Sequence, residues 1–121
     1  MATFTKLALS GGNADGLGIT VVATATAGTT IHTGPSASAT IDEIWLYANN
    51  TASTAVVLTI EFGGVSVTKD IIQTSIAASP SGLVLVCAGL IIQGNATQKI
   101  IKAFAGTASK IELFGYVNRI A

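Results

Sequence analysis

The side chains able to do chemistry are few and far apart. His32 is the only histidine, Cys87 the only cysteine, and Asp42 with Glu43 the one adjacent pair among six acids. Any nucleophile–base arrangement would have to use His32, which sits in TTIHT, where alternation with threonine reads as a half-exposed polar strand residue. A catalytic histidine needs an orienting partner, and nothing near it in the sequence points to one. On a strand, Asp42 and Glu43 face opposite ways, which separates them for acid–base work. Residues 11–18, GGNADGLG, form a turn-rich loop whose single acid, Asp15, supplies too few oxygens for calcium. Cys87 lies in an apolar run, where a thiolate is disfavoured and a buried small hydrophobe is expected. Alone, it makes neither an internal disulfide nor a thiolate zinc cage. The chain has no G-x-S-x-G elbow, no P-loop and no G-x-G-x-x-G turn. The expectation is a protein that is not an enzyme, with no cofactor and no metal.

These side chains must be positioned by strands, because β-branched alternation dominates and no convincing helix is present. The centre is residues 41–64, IDEIWLYANN-TASTA-VVLTIEFGG, expected as a hairpin with its tip at residues 49–53. In its first arm Ile41, Glu43, Trp45 and Tyr47 share one face, and Asp42, Ile44, Leu46 and Ala48 the other. In the second, Val56, Leu58, Ile60 and Phe62 oppose Val57, Thr59 and Glu61. Residues 2–9 suit an edge strand, residues 19–27 a strand, and TTIHT its short partner. The run from Val65 to the Pro80 stop reads as a continuing strand, and residues 82–87, GLVLVC, as a strand buried on both faces. Short strands follow at residues 90–92 and 99–105. In the last strand, residues 110–120, Ile111, Leu113, Gly115 and Val117 alternate with Glu112, Phe114, Tyr116 and Asn118. Eight to ten strands at turn spacing predict an all-β, single-domain antiparallel β-sandwich over residues 1–121, with a jelly roll as one such arrangement.

Composition bounds the partners. With 50% hydrophobic and only 10% charged residues, against about a quarter charged in a typical globular chain, the surface is short of charge, which favours burial between subunits. Six basic and six acidic residues cancel, and no basic stripe for nucleic acid is visible. Lys99, Lys102, Lys110 and Arg119 read as solvated strand positions. The start, MATFTKLALSGG, reaches glycine too soon for a secretory signal, and residues 82–92 are too short for a membrane-spanning helix. A protein made in a cytoplasm, without membrane or nucleic-acid partners, is expected, and the sequons at Asn49 and Asn95 read as turn residues.

The stretches IDEIWLYANN, LTIEFGG, SGLVLVCAGLIIQG and IKAFAGTASKIELFGYVNRI resemble small β-sandwich virion proteins of tailed bacteriophages, above all head decoration (cement) proteins. The resemblance runs from Ile41 to the C-terminus and carries over no functional residues. It implies a virion component made in the host cytoplasm, sitting in many copies on the capsid surface, often as a homotrimer, with the major capsid protein as partner. Phe114 and Tyr116 are then candidate oligomer contacts, and residues 1–40 hold a candidate partner-binding arm or loop. The rival expectation is a carbohydrate-binding or adhesion module of a phage tail or surface protein, with Trp45 and Tyr47 as the binding surface. An enzyme built on His32 ranks last.

Overall fold

The computed structural model describes residues 2–121 and contains nine strands: β1 (Phe4–Ala8), β2 (Ile19–Thr20), β3 (Thr29–Thr33), β4 (Ile41–Asn50), β5 (Val56–Phe62), β6 (Ile71–Ile76), β7 (Val84–Gln93), β8 (Ile100–Ala105) and β9 (Ile111–Ile120). One sheet has the order β1-β9-β4-β7, with β2 also pairing β9, and the other β3-β8-β5-β6; all pairs are antiparallel. Every connection between the eight longer strands changes sheet except β5 to β6, which is the jelly-roll order.

Period-two alternation places the core between the sheets. Burial along β4 alternates at every residue, with Asp42, Ile44, Leu46, Ala48 and Asn50 inward. Ile111, Leu113 and Val117 of β9 continue that inner face, opposed by Val56, Leu58 and Ile60 of β5 and Ile101, Ala103 and Ala105 of β8. The first strand forms one edge of its sheet against the last: Phe4 pairs with Ile120, and beyond them Thr3 and Ala121 exchange backbone hydrogen bonds of 2.7 and 2.9 Å.

Several expectations need correction. The two arms of residues 41–64 do not form a hairpin, since β4 pairs with β7 and β9 while β5 pairs with β6 and β8. A ribbon would set both apolar rows side by side, whereas splitting them across the sandwich buries one row against the other. Asn50 shapes the crossing. Its buried amide nitrogen donates to the carbonyls of Thr54, Ile76 and Ala77 at 3.0 to 3.1 Å, and its oxygen accepts the Ala52 N–H at 2.8 Å.

The strand expected over residues 19–27 ends at Thr20. Val21 still donates to the Ile111 carbonyl, but the chain then swings over β5, where Thr26 Oγ1 and the Gly28 N–H both donate to buried Glu61 at 2.7 Å. Residues 65–70 form a turn rather than a strand, because Asp70 accepts the Ser66 N–H and returns its own N–H to the Ser66 carbonyl. Residues 82–87 are not buried on both faces. They lead into β7, an edge strand continuous from Val84 to Gln93, with Leu83 before it and Leu85 on it exposed. An extra residue at Gly89, between the partners of Ile44 and Trp45, bulges this strand.

Asn50→Ala removes the donor of three carbonyls, that of Ile76 buried, and the acceptor of the buried Ala52 N–H. We expect about 2–3 kcal/mol of lost stability, read by urea unfolding with an unchanged slope.

Candidate functional site

The inner row of β4 carries one acid, Asp42, and the inner row of β9 ends in one base, Arg119; register makes them direct cross-strand partners. Arg119 forks onto the carboxylate, Nε to Oδ1 at 2.7 Å and a terminal nitrogen to Oδ2 at 2.8 Å. His32 of β3 reaches the same Oδ2 from the opposite sheet, Nε2 at 2.8 Å. Its Nδ1 receives the Ser10 backbone N–H at 3.1 Å and lies 3.1 Å from Ser10 Oγ. A nitrogen that accepts a backbone N–H carries no proton itself. The tautomer is therefore neutral, with Nε2–H donating to Asp42. Ser10 Oγ in turn accepts the Thr33 N–H at 2.8 Å.

His32 is thus not the half-exposed residue expected from its threonine neighbours: it is 1% exposed. Nor is Arg119 a freely solvated cation. Burial lowers the His32 pKa against the opposing pull of Asp42. Burial also works to raise the Asp42 carboxyl, but hydrogen bonds and charge from Arg119 and His32 prevail and hold it below its ordinary value. The bond to Asp42 pushes Arg119 up.

Ser10, His32 and Asp42 are the residue types of a nucleophile, base and orienting acid, and an open cleft of about 420 Å³ beside them is lined by Ser10, His32, Gln98 and Arg119. The wiring nevertheless suits a cross-link. Nδ1 is shared with the backbone of Ser10, the lowered pKa makes the ring a weak base, and the Asp42 carboxylate is already neutralised by Arg119. What the chain does physically is tie the end of β1, β3, β4 and β9 together across both sheets. Sequence reading missed this set, although a lone acid on an apolar row and a lone base on another were both visible, and buried charges demand partners.

The other candidates meet on the outer face of the β1-β9-β4-β7 sheet. Register sets Tyr47 opposite Phe114 and Trp45 opposite Tyr116, so the residues assigned to two rival surfaces form one half-buried aromatic patch. The Trp45 and Tyr116 rings stack at 11° with centroids 6.1 Å apart, and Lys6 Nζ lies 4.5 Å from the Tyr116 centroid. Glu43 Oε1 accepts Trp45 Nε1–H at 2.6 Å and the Asn118 amide at 3.0 Å. These two bonds, against slight desolvation, hold the Glu43 carboxyl below its ordinary value. Phe114 is less available, since Gly18 of the residue 11–18 loop lies against its ring.

Cys87 is buried as expected, its thiol directed at the Ile44 carbonyl, and burial pushes its pKa up. Asp15 lines a second cleft, of about 320 Å³, where its Oδ1 accepts the Leu17 N–H, and no cluster of three metal-ligating side chains occurs among the described residues. No family model matches the chain, and no curated protein or solved structure is detectably similar to it.

Acid should destabilise this protein in two stages. The folded His32 pKa lies below the unfolded 6.5, so as pH falls through 6.5 toward the folded value only the unfolded chain gains a proton and stability drops. The Asp42 contribution is present above its unfolded value of 3.8 and is lost as pH falls from there through the lower folded pKa. Melting temperature against pH should show both stages, and His32→Gln, if folded, should flatten the first alone. Arg119→Met leaves a buried carboxylate without its main counter-ion, and urea unfolding at neutral pH should register a loss of about 3 kcal/mol.

Proposed function

We propose that this chain is a structural component of a tailed-phage virion, a decoration protein that binds the outside of the head in many copies, as trimers. On this reading it stabilises the shell by contact with the major capsid protein, without catalysing a reaction. The observation that carries the reading is β7. This edge strand has no charged residue from Val84 to Gln93, and Leu83 just before it and Leu85, Leu90 and Ile91 along it are 45–62% exposed. An unguarded apolar edge on a charge-poor surface is a contact surface for a partner, because leaving it in water is costly and templates association.

The resemblance of residues 41–121 to phage virion proteins supports the same reading. Jelly rolls also recur in capsid and lectin domains, although the fold alone does not choose between them. Phe114 and Tyr116 are less suited to the oligomer contact than the β7 residues, being engaged by Gly18, Trp45 and Lys6 within the chain. The shell-facing contacts fall to the first forty residues, where Phe4 and Leu17 are 73% and 71% exposed. Binding that bridges neighbouring capsid subunits favours the assembled shell by mass action, and trimeric valency multiplies a weak single contact.

Light scattering coupled to size exclusion should give a trimer, and the trimer should co-sediment with expanded heads of the phage that encodes it. The double substitution Leu85→Lys with Ile91→Lys should yield a folded monomer with greatly weakened head binding. A wild-type monomer at micromolar concentration that ignores heads would refute the reading.

A further inference from the structure

Two open sheets leave strand edges at β1, β3, β6 and β7, and all but one are guarded against pairing with another chain. β1 carries Lys6, β3 shifts register between Thr30 and His32, and β7 is bulged opposite Ile44–Trp45 and again opposite Leu46–Tyr47, so it offers side chains rather than a regular ladder. β6 has none of these devices. Its sequence, IIQTSI, bears no charge and no proline, and it keeps one unbroken register on β5 from Val56–Ile76 to Glu61–Ile71. Just beyond, the Phe62 N–H donates to the Asp70 carbonyl at 2.8 Å, which fixes the phase of the alternation. Ile72, Thr74 and Ile76 therefore turn their backbone groups to β5, and Ile71, Gln73 and Ser75 turn theirs outward. No loop among the described residues hydrogen-bonds those outward groups, and Gln73 and Ser75 are exposed.

We propose that β6 is a strand-addition edge and that its occupant is β6 of a second copy, laid antiparallel about a two-fold axis at Gln73. In that register the Gln73 residues of the two copies meet, Ile71 of each meets Ser75 of the other, and every outward N–H and C=O finds a backbone partner. The side chains fit the same axis. Gln73 Nε2 donates one hydrogen to Thr59 Oγ1 at 3.0 Å, leaving its other N–H and its Oε1, and two such amides related by a two-fold satisfy each other reciprocally. Because β6 bears no charge, self-pairing sets no like charges together, whereas a foreign strand would find no charge on it to recognise. The product is one continuous sheet running through both copies. A two-fold contact cannot close a trimer, so this pairing goes beyond the β7 contact and on a shell would join one trimer to the next. A ladder this short is weak, dissociating at roughly 0.1 mM, but copies held side by side on a shell need no more.

Sedimentation equilibrium should show the mass found at micromolar concentration doubling as the concentration is raised to about 1 mM. The doubling is measured against whichever unit exists at low concentration, so its failure and the failure of the trimer are separate results. Gln73→Lys and Gln73→Glu should each weaken it about tenfold or more by facing like charges across the axis, and an equimolar mixture of the two variants should recover it. Ser75→Pro removes one outward N–H while sparing the β5 ladder, and should weaken the doubling as much. Circular dichroism of each variant should match wild type; if Ser75→Pro does not fold, the exposed Gln73 substitutions decide alone. Absence of doubling in wild type at the highest concentration would overturn the proposal. So would doubling undiminished in Gln73→Lys, which would put the contact elsewhere. A mixture no stronger than either single variant would also overturn it, by showing that no two-fold axis passes at Gln73.

Discussion

A carboxylate inside the sandwich is the constraint around which the rest is arranged. Asp42 is fully buried in a row otherwise made of Ile44, Leu46 and Ala48, and an unpaired charge there would be prohibitively costly. It is tolerable only because Arg119 enters from the neighbouring strand and His32 from the facing sheet, while Ser10 holds the imidazole from behind. Satisfying one group therefore fixes the register of β9 on β4, the distance between sheets at that end, and the exit of the chain from β1. A hydrophobic replacement of the whole set would be no weaker in principle, so its value lies in specifying one arrangement among the many an apolar core would accept. Asn50 and Glu61 do comparable work elsewhere, each a buried polar group that captures a loop. No buried side-chain nitrogen or oxygen lacks a partner among the described residues.

Much of the local structure was legible in the sequence because period two is a local property. The rows Ile44, Leu46, Ala48 and Ile111, Leu113, Val117 face inward as alternation requires. Pairing is not local, and the largest failures are of that kind. Residues 41–64 carry the pattern of a hairpin, yet strand partners are chosen by the sandwich as a whole, which sends the two arms to different sheets. GLVLVC has the composition of an interior strand and lies at an edge, since composition records how apolar a segment is and not what covers it. His32 was opaque because threonine neighbours say nothing about the facing sheet, whereas Asp42 and Arg119 could have been matched from their rows alone.

The two faces of the β1-β9-β4-β7 sheet divide the labour. Inward, it carries the core and the ionic cross-link. Outward, it presents the aromatic patch, with the apolar β7 edge alongside, and a protein with so few charges makes its contacts largely through such surfaces. The bulge at Gly89 serves both regions: it makes room for the indole and adds twist to the edge, and a twisted edge resists indefinite strand-on-strand stacking.

The strand order also has a kinetic meaning. β8 and β9 come last in the chain, yet each lies inside its sheet, β9 joining β1 and β2 to β4 and β8 joining β3 to β5. Of all the pairings only β5 with β6 links consecutive strands. Until residues 100–120 have left the ribosome, neither sheet can close, and apolar strands such as β4 and β7 wait without their partners. Folding is thus slow and non-local, waiting on residues 100–120, and the nascent chain spends that interval at its most prone to aggregate.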